Sequence, residues 1–553
     1  MGILREALIA FAFLALAATT AHASATNIYI AQSAAGAANG AGCADAFAVG
    51  FFNTAANWGS GASQIGPGTT VHLCGTFTGA AGSAILTVQG SGAIGNPVTI
   101  RFESGAVLQA AYMGGNPYTG GPGGITCTGQ SYITIDGGSN GLIQNTANGS
   151  PSLGYANQQV STGVYFTCSN FEVKNLTIHG IYVHSEGDTG GSNTADIFGD
   201  YSPNNCNIHD NPLIRDAFVG INIGYSGSEN LTSCILKNNT INRNCWMIQM
   251  GDDGPNSSAS GVQVIRNSLG TGNQAWEGSN AFCHQNGMFI TAGNSGSSMS
   301  GLVIDGNTIA SDMCSNRSDT GNNCSAPMQI AGTQSNITII NNVVYFTTAQ
   351  TGYEAFLWMP TAAGMSGTNV IANNTFDEAN AGSGQSCVCA AIEWQSSGGA
   401  QTGFNVQNNL FLNFTHEVFF NHDGTNALPT KVTAIDHEGF QGITGKWAHD
   451  NVNNQDYSTL SAWQTANSTN SFPGYDTRGY SGSLGLNSSY VPQSGSAVVG
   501  LGANLTGLGI TFLDSDKAGV ARPTSGPWDL GTYQYVSGGT VPAPPTGLAA
   551  TVR

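Results

Sequence analysis

The stretch IINNVVYF at residues 339–346, followed by VIANNTFDE at 370–378 and VQNNLFLNF at 406–414, decides the fold. Each copy reads as an apolar strand, a polar turn carrying Asn-Asn, and two or three further β-forming residues. The pattern extends upstream through LKNNTINRN (236–244), VIRNSLG (264–270) and VIDGNTIA (303–310). The last Asn of each turn is Asn239, Asn267, Asn307, Asn342, Asn374 and Asn409, so successive turns stand 28, 40, 35, 32 and 35 residues apart. Repeats of this size, with a constant strand core and variable length, predict stacked β coils whose extra residues form loops.

A second apolar run lies between consecutive Asn turns: GINIG (220–224), WMIQMG (246–251), GMFIT (287–291), PMQIA (327–331), AFLWM (355–359), AIEWQ (391–395) and VFFN (418–421). No amphipathic helical pattern follows the first twenty residues, which excludes βαβ units. Each coil therefore turns by loops alone. Asn residues at one turn of successive coils, ~4.8 Å apart, are expected to pass hydrogen bonds from amide to amide as an internal ladder.

On these Asn turns, which span about 98–425, the chain resembles the right-handed parallel β-helix family, the pectate-lyase-like superfold. The resemblance implies an all-β, right-handed parallel β-helix solenoid with N- and C-terminal caps. That superfold hosts many polysaccharide lyases and glycosidases and does not by itself fix an activity. An Asn-rich antiparallel β-sandwich is the competing fold, but a sandwich has no need of Asn at one repeated turn.

Residues 1–25 read as a cleavable secretory signal, with Arg5, an apolar run from Leu8 to Ala18, and Ala-x-Ala at Ala21 to Ala23 and Ala23 to Ala25. The run is too short to span a bilayer, so the expectation is a secreted or cell-surface protein without a transmembrane anchor. Residues 26–97 lack the Asn turn and resemble the opening segments of secreted β-helix proteins, which cover a first coil whose bare edge invites association. The β-helix is placed at 98–425, a C-terminal cap region at 426–537 and a Pro-rich flexible tail at 538–553. Within the cap, 494–536 resembles the terminal segment of such proteins through Arg522, Pro523, Gly526, Asp529, Gly531 and Tyr533.

Twelve cysteines suit an oxidising compartment. Cys206 and Cys234 each stand five residues before an Asn turn, at Asn211 and Asn239, and should stack one coil apart within disulfide reach. Looser alignment pairs Cys127 with Cys168 and Cys245 with Cys283, while Cys43/Cys74, Cys314/Cys324 and Cys387/Cys389 are close in sequence. A ladder of reduced, buried cysteines remains open, and no spacing has a zinc-site form.

Charged residues make up 8% of the chain, and 32 acidic against 14 basic side chains give a net charge of −18, which argues against a nucleic-acid partner. Few charges with 77 Gly and abundant Ser, Thr and Asn describe a neutral, hydrogen-bonding surface suited to a polysaccharide. Solubility alone explains the same composition, and oligomeric state is not readable.

Alternation along GINIG turns its two Ile inward and Asn222 outward, and the same register gives an outward row of Asn222, Gln249, Phe289, Gln329, Leu357, Glu393 and Phe419. The resemblance implies that polysaccharides lie on such a face, making Asn222, Gln249, Phe289, Gln329 and Phe419 candidate substrate-binding residues. An ordinary solvated sheet face is the competing account. Near the C-terminal end, Glu354, Glu393, His416 and Glu417, followed by Asn421, His422 and Asp423, fall on three adjacent coils. These span ~10 Å, enough to hold two carboxylates at the ~5–10 Å spacing of a glycosidase pair.

An earlier cluster holds Arg215, Asp216, Arg243 and His284, with Asp252 and Asp253 between them. A lyase needs a base for the C5 proton and cations against the uronate carboxylate; these arginines, with Ca2+ on Asp252 and Asp253 as the candidate cofactor, supply the parts. Asp252-Asp253-Gly254 is equally a turn sequence, and Arg215/Asp216 a surface pair. Gly-Asp-Asp at 251–253 resembles the polygalacturonase aspartate pair, without the Gly-His-Gly and Arg-x-Lys of that family. The functional expectation is an extracellular β-helix that binds a polysaccharide and cleaves it as a lyase or glycoside hydrolase; the alternative is a non-catalytic surface, matrix or adhesion protein.

Overall fold

The computed structural model describes residues 24–225, 230–252, 254–276, 283–312, 325–349, 353–361, 364–380, 389–452, 454–465 and 475–537. Residues 1–23, the tail from 538, Cys314, Cys324, Cys387 and Asp253 lie outside these residues. The described strands build three long parallel sheets of 14, 13 and 13 strands, each pairing a strand with its counterpart one coil away. The chain is a parallel β-helix. In each coil it runs through the first sheet, crosses the Asn turn into the second, and then enters the third. A fourth, five-stranded sheet, containing Asn230–Thr232 and Ser258–Ser260, lies between the third and the first.

Period-two alternation positions the core. In the first sheet Ile208, Leu236, Val264, Ile304, Ile339, Ile371 and Val406 are in register across successive strands and fully buried. Each such side chain contributes about 1.5–3 kcal/mol by leaving water, and the stack makes one continuous interior.

The Asn-Asn pairs have two separate jobs. The second Asn of each turn is buried in the ladder: Asn211 Nδ2 donates to Asn239 Oδ1 at 2.8 Å, and the same donation runs through Asn267, Asn307, Asn342 and Asn374 to Asn409. Each ladder amide also reaches a strand carbonyl of the preceding coil, as Asn307 Nδ2 does to Val264 O at 2.8 Å. The six expected residues therefore stack in one line, which starts one coil earlier at Asn211 and ends on Glu438, whose Oε2 accepts from the Asn409 backbone N–H. Burial drives both Glu438 and its neighbour Asp476 well above the usual carboxylate range.

The residue before each ladder Asn has positive φ: Asn238 53°, Asn341 57°, Asn373 54° and Asn408 63°. Asn tolerates this left-handed conformation better than other side chains, which explains its doubling. Asp210, Arg266 and Gly306 occupy the same position in the three ladder coils that lack the doublet.

These first Asn side chains receive the C-terminal segment as a strap. Asn341 Oδ1 accepts from Arg522 Nη2 at 2.7 Å, Asn373 Nδ2 donates to the carbonyls of Asp529 and Gly531, and Asn408 exchanges hydrogen bonds with Ala503. Trp528, Leu505 and Leu513 cover Ile340, Val370 and Ala372 on the outside of the first sheet. The Arg-Pro-x-x-Gly…Asp-x-Gly-x-Tyr segment thus lies back along the coils and does not sit on the last one. Arg522 is almost fully buried and also donates to Leu513 O and Ser515 O. Arg522→Ala leaves these acceptors unpaired, at about 1–3 kcal/mol each; limited proteolysis should then cut first between 494 and 536, and an unchanged cleavage pattern would contradict the strap.

The sheets run beyond 98–425 on both sides. Asn27–Ala31, Thr70–Cys74, Thr76–Thr78 and Leu86–Thr87 already belong to them, and Val432–Asp436, Gly439–Gln441 and Lys446–Asp450 add a further coil. Phe52 and Trp58 close the first end. At the other, Gln455–Tyr457 pairs antiparallel with Lys446–Asp450, and Trp463, stacked on Tyr475 at 4.3 Å, covers the core beside Phe419.

Four disulfides join Cys43–Cys74, Cys127–Cys168, Cys206–Cys234 and Cys245–Cys283, with Cα separations of 4.6–6.0 Å. Cys206 and Cys234 are direct strand partners, as their common offset from the Asn turn predicts. Cys389 is also disulfide-bonded, with its partner outside the described residues. Among the described residues no helix is long and apolar enough to cross a membrane.

Candidate active site

Strand pairing in the third sheet fixes the outward row as Tyr165, Phe198, Asn222, Gln249, Phe289, Gln329, Trp358, Glu393, Phe420 and His449. Two expected members are displaced by one residue. Leu357 and Phe419 are fully buried and point into the core, while Trp358 and Phe420 face out. In AFLWM and VFFN every position near the centre is apolar, so alternation alone gives no parity; pairing of Met328 with Leu357, and of Ile392 with Phe419, supplies it. Phe419 is therefore core and not a substrate-binding side chain.

The row is a floor of aromatic and amide groups with a defined end. Tyr118, from the Gly-rich loop at 114–124, packs edge-on against Phe198 at 4.8 Å; its hydroxyl donates to Gln249 Oε1 and accepts from Asn222 Nδ2. This covers Tyr165, Phe198 and Asn222, all buried. From Gln249 toward the C-terminus the face is half-open at Phe289, Trp358 and His449. Trp246 and His284 flank Phe289, with ring centroids 5.2 and 4.9 Å away.

The titratable cluster lies in the open part. Glu354, Glu393 and His422 come from three successive coils, and one ligand atom from each lies within 4.8 Å of the others. His422 Nδ1 is 2.8 Å from Glu393 Oε1 and 3.2 Å from Gln395 Nε2; Gln395 Oε1 accepts from Trp358 Nε1 at 3.1 Å. Phe420 stacks on the His422 ring at 4.8 Å. The imidazole is thus fixed by a carboxyl, an amide and an aromatic ring.

Burial pushes Glu393 up to about 7; the His422 hydrogen bond opposes this, and the charges of Glu354 and Glu417 add to it. The Glu393 hydrogen bond raises His422 above the ordinary imidazole value. The two share a hydrogen bond and titrate as a pair. Burial raises Glu354 as well. Glu393 is completely covered, and its Oε2 has no hydrogen-bond partner among the described residues, whereas Glu354 and His422 are partly open. A half-open acid beside an imidazole backed by a carboxylate is a general acid–base arrangement; the same three donors also have the composition of a divalent-cation site.

The remaining candidates are placed elsewhere. Glu417 pairs with Lys446 at 3.3 Å, and Lys446 with Asp456 at 2.9 Å, at the edge of the cluster. His416 turns toward buried Glu378 at 3.5 Å, and Asp423 forms a buried ion pair with Lys431 at 2.7 Å. Arg243 and Arg215 both bind Asp216, at 2.7 and 3.0 Å, at the corner between the second and third sheets. His284 hydrogen-bonds Asn286 at 2.7 Å and belongs to the aromatic floor; the early cluster does not converge on one point. Asp253 and the side chain of Asp252 lie outside the described residues, and with them the calcium expectation. Repeat counting places His422 only after the Glu354, Glu393, His416 and Glu417 positions, and does not single out Trp358. Shifting the row by one residue in AFLWM, to continue the polar-aromatic positions, would have found Trp358.

No family model matches the chain, and no curated protein does. Among solved structures it is similar to pectate lyase Pel9A, at 14% identity over 93% of this chain and 98% of that chain, with a TM-score of 0.42. It is also similar to the GH136 lacto-N-biosidase from Eubacterium ramulus, at 11% identity over 76% of this chain and 64% of that chain, with a TM-score of 0.28. At this distance neither likeness decides an activity.

Proposed function

We propose that the protein binds an extracellular polysaccharide along the outer face of the third sheet and cleaves it by acid–base chemistry at Glu354, Glu393 and His422. The observation that carries the reading is the meeting of these three groups from three coils inside an aromatic and amide row. Glu354, half-open and raised by burial, holds the proton delivered to the leaving oxygen. The three groups lie within 4.8 Å of one another, short of the ~6.5–9.5 Å that seats a water opposite the acid, so His422, its ring held by Glu393, takes the proton of a water that enters beside Glu354 on the side the leaving group vacates. Hydrolysis is favoured over β-elimination because Lys446, the cation at the edge of the cluster, is engaged by Glu417 and Asp456 and does not offer itself to a uronate carboxylate.

Incubation with a panel of neutral and acidic polysaccharides, with and without chelator, tests this. New reducing ends without absorbance at 235 nm are expected; absorbance at 235 nm would mean elimination, and loss of activity with chelator would mean that the triad works as a metal site. No turnover and no binding would sink the proposal, while binding without turnover would favour the adhesion reading. The floor has its own test. Trp358→Ala with Phe289→Ala removes two open aromatic surfaces and should weaken binding of a cleaved polymer roughly tenfold or more in affinity electrophoresis, with the fold unchanged by circular dichroism.

A further inference from the structure

A second set of outward groups lies on a different sheet. In the second sheet Gln144, His179, Arg215 and Asn242 are register partners on four successive coils, ~4.8 Å apart, while Ile143, Ile178, Ile214 and Ile241 beside them point inward. Tyr155, from the loop after the strand Leu142–Asn145, approaches from one side and Arg243 from the corner. Side chains of Arg215 and Arg243 are 40% and 36% exposed, so their guanidinium groups reach solvent while buried Asp216 fixes both.

The charge balance of this patch is opposite to that of the chain. Two guanidinium groups face one carboxylate, in a protein with 14 basic residues and a net charge of −18. Asp216 is engaged by both arginines and is buried, so it neutralises one charge and leaves the second facing outward. Several groups around it are unsatisfied. Arg215 Nε is 3.0 Å from Asp216 Oδ2 but its N–H is not aligned for a hydrogen bond, and Asn242 Oδ1 is buried without a partner among the described residues; an amide flip would present its N–H instead. Burial lowers His179 and the Arg215 charge lowers it further, so it offers a neutral imidazole. Burial and the Asp216 charge keep the Tyr155 phenol protonated, as a donor.

We propose that His179, Arg215 and Arg243, with Tyr155 and Asn242, form a binding site for an oxyanion, the carboxylate or sulfate ester of an acidic sugar, on a face separate from the Glu354–Glu393–His422 groove. Planar guanidinium groups match a two-oxygen acceptor, and the fixed spacing of the rungs lets neighbouring donors reach one group. The site does not depend on the hydrolytic reading, since the groove and this patch occupy different sheets. A chain held here and read there would be gripped at two points, which raises its effective concentration at the groove.

The test is calorimetric titration of the mature protein with trigalacturonate, with a sulfated trisaccharide, and with a neutral trisaccharide of the same length. Both anionic probes, or one of them, should bind while the neutral one does not, with affinity falling as salt is raised. Arg215→Gln should lower affinity for the anionic probe at least tenfold. Because Arg243 also anchors buried Asp216, Tyr155→Phe with His179→Ala is the second variant, and should weaken binding several-fold without altering the melting temperature by more than a few degrees. Glu354→Gln should leave it unchanged. Equal binding of the neutral probe through these same residues, no binding of either anion, or full affinity in both the Arg215 and the Tyr155/His179 variants overturns the site. A protein that binds the anion through these residues yet cleaves nothing would refute the hydrolytic reading and leave this one standing.

Discussion

Glu354→Gln should lower turnover of a cleaved polysaccharide by about 10²–10⁴-fold, the usual contribution of a positioned general acid, while binding stays within a few-fold. The amide keeps the size and the hydrogen-bonding reach of the carboxyl but has no proton to deliver. Glu393→Gln is expected to act differently, because Glu393 is covered and works through His422. Removing its charge takes away the main cause of the raised His422 value, so the acidic limb of the pH–rate profile should move to lower pH as the rate falls. Stability separates the role of Glu393 from mere packing. Its folded-state value lies near 7, above the usual carboxylate value, so the neutral form is favoured by folding. That contribution is complete at pH below the ordinary carboxylate range and is lost as pH rises toward 7. Glu393→Gln cannot ionise and should therefore melt higher than the parent at pH 8, with the gain shrinking toward pH 4. Full activity in both variants would move the chemistry away from this cluster.

Asn342→Leu should be the most destabilising single change of those considered. Asn342 donates to Ile304 O, Ile340 O and Asn374 Oδ1, and its Oδ1 accepts from the backbone and side-chain N–H groups of Asn307. Leucine satisfies none of these groups and leaves them in a dry interior, where each unpaired one costs about 1–3 kcal/mol. A loss of about 4 kcal/mol or more in equilibrium urea unfolding is expected, at the upper end for a point substitution. The neighbouring change Asn307→Leu removes one of these same bonds, from Asn307 Nδ2 to Asn342 Oδ1, so the double variant should lose less than the sum. A loss below about 1 kcal/mol would mean that the ladder contributes little to holding the coils.

The fold was legible because its strongest restraint is chemical and periodic. A buried amide has to be satisfied, the next coil offers an identical one, and Asn239 through Asn409 therefore recur at a fixed place however long the loops between them grow. The disulfide Cys206–Cys234 was legible for the same reason, being measured from that turn. The outward row was legible wherever a polar residue sits between two apolar ones, as at Asn222 and Gln249, and failed where Leu-Trp and Phe-Phe leave both parities apolar. The reach of the strap was hidden as well. Its residues advertise a terminal motif, but their docking sites are Asn341, Asn373 and Asn408, 95 to 181 residues upstream of their partners, and in the sequence those look like spare members of the ladder. Glu354, Glu393 and His422 were placed on adjacent coils by repeat counting, but which of the nearby acids and imidazoles meet depends on side-chain direction. His416 and His422, six residues apart, turn to different carboxylates.

The strap has a further consequence for how this architecture can change. In a plain solenoid one coil more or fewer alters length and little else. Here the C-terminal segment is a ruler laid against the coils, with Arg522, Asp529 and Ala503 as its marks and the left-handed Asn of three particular coils as the notches. Duplicating or deleting a coil between Asn341 and Asn408 would move the notches by a whole strand spacing while the marks stayed fixed. Lys517 also donates to Gly306 O one coil earlier, so growth of the array is easiest upstream of Gly306, and a shuffled or transplanted coil library should accept insertions there far more readily than within the measured span.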